Sequence, residues 1–354
     1  MNLLFVYYVP SGGMETLNRQ RVRALRDAGI NVQCLYYRWG AGIQNSADPS
    51  VFITDSDIAI KHILDHMKYD FIVVTTDHRT FPKFRLLGYT GKFILEIQGY
   101  GPMDVAWREL TNAAPEINGH ASALLHPNTP HIGTIFKTLY PHLPHFTINN
   151  CFDSDAFTYR ELPRLPYPVL AWIGRIEDNK NWREFLAIGA RMAVIRPDIR
   201  LWMFEDPSLS VPSEREDFER LLESDPVLRG RLTLHANVPN AKMQEMFSMI
   251  GDSGGMLVST SKVEGGPYCV LEAMSCRCPV LATNSDGVTS AIFHNATGKL
   301  YPLGNVDLAI QEICELMYDA TLREVIRLQA QYHVRTEFHP AKYAGEFIQM
   351  LHVL

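Results

Sequence analysis

The chain has 354 residues, which at about 150 residues per domain corresponds to about 2.4 domains, enough to bury a core without disulfide or metal staples. Lys and Arg number 33 against 39 Asp and Glu, a formal charge of −6, with 46% hydrophobic and 20% charged residues, the balance of a globular and not a disordered chain. A net negative chain without a Lys/Arg-rich run excludes sequence-independent binding of nucleic acid, so any anionic ligand must be held locally.

The elements alternate from the start. Continuous apolar, β-rich runs at Leu3 to Val9, Val32 to Tyr37, Phe71 to Thr75, Phe93 to Ile97 and Phe146 to Ile148 suit strands covered on both faces of a parallel sheet. Between the first two, Met14, Leu17, Ala24, Leu25 and Ala28 recur at helical spacing, and Gly29 closes the helix. Tyr159 to Pro168 carries three prolines in six residues, which can continue neither a helix nor a central strand and reads as a linker. A second series follows at Val169 to Ile173, Leu201 to Phe204, Leu232 to Leu234, Met256 to Val258 and Val280 to Ala282, with a late helix marked by Ile310, Ile313, Cys314 and Met317. The expectation is an α/β chain of two doubly wound, Rossmann-like domains with a cleft at the carboxyl ends of their sheets. Residues 1–158 are expected to form the first domain, 159–168 the linker and 169–336 the second domain.

Outside the elements, no apolar stretch reaches the ~18 residues that span a bilayer, and no basic leader opens the chain. A cytoplasmic protein is expected, with peripheral attachment at the inner membrane left open. Cys34, Cys151, Cys269, Cys276, Cys278 and Cys314 are scattered without C-x-x-C spacing and read as reduced core thiols.

Three segments carry chemistry. The first strand runs into Pro10-Ser-Gly-Gly-Met-Glu15, where two glycines before a helix let backbone N–H groups approach a phosphate, or form only a tight turn. The spacing is neither G-x-G-x-x-G nor a P-loop. After the first strand of the second half, Gly174-Arg-Ile-Glu-Asp-Asn-Lys-Asn181 places Arg175 and Lys180 on one loop, a forked and a compact cation suited to a diphosphate. Glu264-Gly-Gly-Pro-Tyr-Cys-Val-Leu-Glu272 reads as a loop and then a helix opening near Pro267. Its two carboxylates could each accept hydrogen bonds from polyol hydroxyls.

These segments, in this order, together with Ile148-Asn-Asn-Cys-Phe-Asp153, Ala273-Met274 and Pro279-Val280, resemble the GT-B-fold retaining glycosyltransferases of family 4, the glycosyl transferases group 1. The resemblance implies transfer of a hexose or N-acetylhexosamine from a UDP- or GDP-sugar to an acceptor hydroxyl. The acceptor is left open among a glycan, a lipid-linked molecule and a small molecule, within carbohydrate biosynthesis. It implies an acceptor-side first domain and a nucleotide-sugar-binding second domain, no cofactor and no metal, and a last helix, about 337–354, that joins the first domain. By the same resemblance Arg175 and Lys180 neutralise the departing diphosphate, Glu272 holds the ribose, and Glu264 lies beside the transferred sugar. Gly265, Gly266, Pro267, Tyr268 and Cys269 contact sugar or phosphate, Gly12 and Gly13 face the diphosphate, and Asn237 and Val238 pack on the base.

Two departures from the family pattern stand out. Gln98 occupies the place after the fourth strand where family members commonly carry His, and it can hydrogen-bond but not charge. Cys151 stands where glycine is common. Asp55-Ser-Asp57 and Asp153-Ser-Asp155 mimic a metal-binding D-x-D, but each is expected to precede and cap a helix. His78, His120, His126 and His131 lack the spacing of a ligand set, and Tyr100, Met103 and Trp107 read as packing residues or as a stacking platform for an acceptor. A sugar-nucleotide epimerase or phosphorylase of the same fold, and a catalytically weakened sugar-nucleotide-binding protein, remain the rival readings.

Overall fold

A computed structural model describes residues 1–45 and 48–354. It contains two parallel sheets. The first holds β1 (Asn2–Tyr7), β2 (Asn31–Tyr36), β3 (Val51–Ile53), β4 (Phe71–Thr75), β5 (Lys92–Glu96), β6 (Ala121–His126) and β7 (His145–Thr147), in the order β3-β2-β1-β4-β5-β6-β7. The second holds β8 (Val169–Ile173), β9 (Arg200–Glu205), β10 (Leu232–Ala236), β11 (Met256–Ser259), β12 (Val280–Thr283) and β13 (Lys299–Tyr301), in the order β10-β9-β8-β11-β12-β13.

Parallel neighbours need crossover connections, and the crossover helices cover both sheet faces. Leu3, Leu4, Phe5 and Val6 are accordingly all buried, which is why that run is continuously apolar. In each sheet the chain works outward from a central strand in one direction and then returns to its other side. The reversal falls between β1 and β4 in the first sheet and between β8 and β11 in the second. Loops leaving the carboxyl ends of two strands on either side of such a reversal diverge, and a crevice opens between them.

The chain divides into two compact units, Met1–Asp153 with Glu337–Leu354, and Ser154–Thr336. In the first, the terminal helix Pro340–Val353 lies against the helix Gly12–Asp27, with the Phe347 ring 5.8 Å from that of Phe5. The proline-rich segment belongs to the second unit. Tyr159 Oη donates to Asp252 at 2.8 Å, Arg160 N to Ser248 Oγ at 3.1 Å and Leu165 N to Ser253 Oγ at 2.6 Å, tying the segment to the helix Asn240–Asp252 and its end.

Three strands escape the sequence pattern. β3 and β13 have three residues each, too few for a periodic signal. β6, Ala-Ser-Ala-Leu-Leu-His, contains no β-branched residue and follows a helix directly. The strand before Gln98 is therefore the fifth and not the fourth. The expected helix after Asp153-Ser-Asp155 does not form, since residues 154–156 are a turn that continues into irregular chain. A helix does begin at Asp57, but Ser56 makes no side-chain capping bond. All six cysteines are free, and Cys269 and Cys314 are half-buried where the other four are buried.

One buried ion pair was not visible in the sequence. Arg21, on the helix Gly12–Asp27, is 0% exposed and Glu96, at the end of β5, is 2% exposed; Nη1 donates to Oε1 at 2.7 Å. The guanidinium lies 3.7 Å over the Phe5 ring, and Thr75 Oγ1 donates to Glu96 Oε2 at 2.6 Å. Removing one member strands the other charge in a dry interior. Glu96→Leu should therefore cost about 3–5 kcal/mol in urea unfolding, whereas the double change Arg21→Met with Glu96→Leu should recover most of that loss; a double variant no more stable than the single one contradicts the pair's role.

Candidate active site

At the reversal in the second sheet, the loops leaving β8 and β11 are stitched together. The β8 loop passes through Gly174 and Arg175 to a short turn at Asp178–Lys180, and Asn181, with φ of +50°, opens the helix Trp182–Ile195. Trp172 Nε1 donates to Thr260 Oγ1 at 3.1 Å, and that hydroxyl lies 2.9 Å from the Lys180 carbonyl. Asn179 Nδ2 donates to the Val263 carbonyl and its Oδ1 accepts from Val263 N, both at 3.2 Å. Lys262 Nζ reaches Asp178 Oδ1 at 2.6 Å.

Within this lacing Lys180 Nζ donates to Glu264 Oε1 at 2.5 Å, with the two side chains 20% and 11% exposed. Burial would lower the Lys180 pKa, but the Glu264 carboxylate outweighs it and the net shift is upward from the ordinary 10.5. The ammonium stays charged through neutral pH. Its pairing contributes stability below the unfolded-state value and loses it only as pH rises through the raised folded-state value. Gly174 makes room for this side chain: a Cβ there would lie 3.0 Å from Lys180 Cγ. Arg175 is placed differently. It is 54% exposed and donates to Glu177 Oε1 at 3.0 Å, so Arg175 and Lys180 share a loop but rest on different carboxylates.

Beyond Glu264, Gly265 and Gly266 are half-buried and Pro267 caps the helix Tyr268–Ser275, whose first residue is buried. Cys269 is half-buried, and burial pushes its thiol up to about 12, so it is no thiolate nucleophile at neutral pH. Gly287 holds the loop's shape. Its N–H donates to the Glu264 carbonyl at 2.9 Å, and a Cβ on Gly287 would lie 1.9 Å from the Gly265 carbonyl oxygen.

Glu272, one turn into the helix, is 7% exposed and accepts from Asn240 Nδ2 at 2.8 Å. Asn240 opens the helix Asn240–Asp252 directly after the β10 loop that carries Asn237 and Val238. Asn237 is exposed, has φ of +50°, and donates its N–H to the Glu205 carbonyl at 2.9 Å; Val238 is half-buried. Asn240 thus links the expected base loop to the expected ribose carboxylate. Neither Asn240 nor Gly287 was found by sequence reasoning, since each acts through one hydrogen bond to a residue far along the chain.

In the first unit, Gly12, with φ of +54°, is the first residue of its helix, and Gly12 and Gly13 are exposed. The left-handed φ at Gly12 favours a residue without Cβ. Gln98 is half-buried, donates from Nε2 to Glu96 Oε1 at 2.9 Å, and accepts at Oε1 from Asn150 Nδ2 at 2.8 Å. This fixes its amide, because the flipped orientation would set a carbonyl against the Glu96 carboxylate. Nothing in the sequence around Asn150 marks it as the partner of Gln98.

Three of the other residues named from the sequence are packing residues and one is not. His126 is buried with its imidazole near the Pro127 carbonyl, and burial lowers its pKa. Tyr100 and Trp107 pack against the first core while Met103 is 49% exposed. Among the described residues no three His, Cys, Asp or Glu side chains form a group that could hold a metal ion, and no helix is long and apolar enough to cross a membrane.

Residues 159–332, just under half of the chain, match the model of the family described as Glycosyl transferases group 1. No curated protein sequence matches. The structure is similar to that of Anabaena Alr3699/HepE in complex with UDP-glucose, with a TM-score of 0.83, 16% identity and all of both chains covered. It is also similar to sucrose-phosphate synthase from Thermosynechococcus elongatus, at 0.82 and 17% over 100% of this chain and 98% of the other. A glycosyltransferase from Rickettsia africae gives 0.78 and 16% over 99% and 97%. The two doubly wound sheets are those of the GT-B fold, and the fold and the family match together indicate a glycosyltransferase.

Gly287→Ala should lower stability by about 1–3 kcal/mol in urea unfolding, because its Cβ meets backbone that cannot rotate away. Gly345→Ala, on the helix Pro340–Val353 with open space around it, should be neutral or stabilising by up to about 1 kcal/mol. Equal effects of the two would show that the Glu264–Gly265 loop adapts freely.

Proposed function

We propose that the chain is a metal-independent, retaining glycosyltransferase of family 4 that moves a hexose or N-acetylhexosamine from a nucleoside diphosphate sugar to an acceptor hydroxyl. The observation that carries the reading is the meeting of Lys180 and Glu264 where the second sheet reverses, at the mouth of the helix that bears Glu272, inside the stretch that matches the family. The UDP-glucose bound to the similar Anabaena protein supports a UDP-sugar donor.

In this reading Glu272, oriented by Asn240, accepts hydrogen bonds from the ribose hydroxyls, and Asn237 and Val238 meet the base. Glu264 takes a sugar hydroxyl. The backbone N–H groups of Gly265, Gly266, Tyr268 and Cys269 face sugar and phosphate, with Pro267 lining the turn. Gly12 and Gly13 offer amide contacts to phosphate, and Gln98 offers a hydrogen bond to a sugar hydroxyl.

Negative charge grows on the diphosphate as the glycosidic C–O bond breaks. Lys180 and Arg175 therefore bind the transition state more tightly than the ground state, and their ammonium and guanidinium groups are held in place beforehand. The acceptor hydroxyl adds to the anomeric carbon on the face the diphosphate leaves, and its proton passes to a phosphate oxygen, so no enzymic base is required.

Lys180→Ala should lower kcat by about 10²–10³-fold, measured by mass spectrometry of UDP release from UDP-glucose under conditions where the variant is folded, and should also lower stability because it leaves the Glu264 carboxylate unpaired; an unchanged kcat removes Lys180 from the mechanism. Activity should persist in EDTA. Because Gln98 does not titrate and Lys180 stays charged, kcat/KM should be flat between about pH 7 and 9, and Gln98→His should introduce a new limb above the free-imidazole value of about 6.5, since the Glu96 carboxylate favours the charged ring.

A further inference from the structure

A pair of histidines on the first unit stands apart from everything the proposed reaction uses. The helix Asp57–Met67 connects β3 to β4, and its buried residues Ile60, Ile63 and Leu64 seat it on the sheet. His62 and His66 lie four residues apart on it, so at about 100° per residue they occupy one solvent face on successive turns. A crossover helix runs against the direction of the parallel strands it joins. Accordingly, Asn2 Nδ2 at the start of β1 donates to the Met67 carbonyl at 2.8 Å, and the His66 end of the helix lies at the amino edge of the sheet, opposite the crevice.

The two imidazole planes are within 7° of parallel, with ring centroids 6.1 Å apart. Both side chains are exposed, and among the described residues neither makes a hydrogen bond or an ion pair. The adjacent charges are engaged with each other. Lys61 Nζ lies 3.0 Å from Asp65 Oδ2 and donates to the Leu87 carbonyl at 3.4 Å, so that carboxylate already has a cation. Two imidazoles with free nitrogens on successive turns form a bidentate donor set. Metal–nitrogen bonds of about 2.0–2.1 Å bridge rings at this separation after small side-chain rotations, which no hydrogen bond opposes. Since no third His, Cys, Asp or Glu joins them among the described residues, the other coordination positions fall to water.

The donor type selects the ion. Mg²⁺ and Ca²⁺ take oxygen ligands and would keep their water here. Imidazole nitrogen suits Cu²⁺, Ni²⁺ and Zn²⁺, and copper binds such a site most tightly. We infer that His62 and His66 chelate a divalent transition-metal ion, Cu²⁺ ahead of Zn²⁺, which clips one turn of this helix. The two rings are held on one face only while the turn is helical, so the ion binds the folded chain better than the unfolded one and stabilises it. The site is at the edge of the sheet away from the crevice and takes no part in glycosyl transfer, so it stands or falls independently of that reading.

The test is calorimetric titration of the intact chain, first stripped with EDTA and exchanged into chelator-free buffer, with copper(II), zinc(II) and magnesium chlorides. Cu²⁺ should bind in the micromolar range and more tightly than Zn²⁺, without a response to Mg²⁺, and the electron paramagnetic resonance spectrum of the copper complex should show nitrogen ligation. His62→Ala and His66→Ala should each weaken this binding at least about tenfold, because a chelate is lost. Lys61→His combined with His62→Ala keeps the number of histidines but sets the rings about 140° apart around the helix, and it should not restore the affinity. Saturating Zn²⁺ should raise the urea midpoint of the intact chain more than that of His62→Ala. Copper affinity unchanged by His62→Ala, or restored by the five-residue spacing, would place the ion on other side chains and overturn the inference. Absence of copper binding up to about 1 mM, equal affinity for Mg²⁺, or equal midpoint shifts in the two proteins would overturn it as well.

Discussion

The ion pair between Lys180 and Glu264 is the contact on which the geometry of the two loops at the second sheet's reversal depends. An ammonium and a carboxylate that are both mostly buried are tolerable only in each other's company, so the loop after β8 and the loop after β11 must hold one geometry. Asn179, Thr260 and Lys262 reinforce it with hydrogen bonds between the same two loops. The pair sits at the sheet's reversal because strand order puts β8 beside β11 although 82 residues separate the end of one from the start of the other. Charge and position thus have a common origin in topology.

The first unit uses a buried charge in a different way. Glu96 is held by Arg21 and Thr75, and it in turn orients Gln98, with Asn150 closing the chain of hydrogen bonds on the other side. A neutral amide anchored on a carboxylate presents fixed donor and acceptor directions at any pH near neutrality. A histidine beside the same carboxylate would be drawn toward its charged form. On the proposed glycosyl-transfer reading, Gln98 would address sugar hydroxyls by geometry and not by charge.

Much of this was legible in the sequence. Continuous apolar runs gave away the parallel strands because both faces of each are covered, and the loop bearing Lys180 and the segment from Glu264 to Glu272 were found from residue types at fixed spacing. What escaped did so for physical reasons. β3 and β13 are too short to carry a period, and β6 lacks β-branched residues. Arg21, Asn150 and Asn240 look like ordinary polar residues until the fold brings each to a partner 32 to 75 positions away. Gly287 is informative only through the backbone it lets approach.

The central claim is that the edge of the second sheet recognises a nucleoside diphosphate through Lys180. Calorimetric titration with UDP and UMP tests it most directly, because the two differ only in the phosphate that the ammonium would meet. The account predicts that UDP binds at least about tenfold more tightly than UMP and that Lys180→Met removes most of that difference while leaving UMP affinity nearly unchanged. Equal affinities for UDP and UMP, or a difference that survives Lys180→Met, would contradict it.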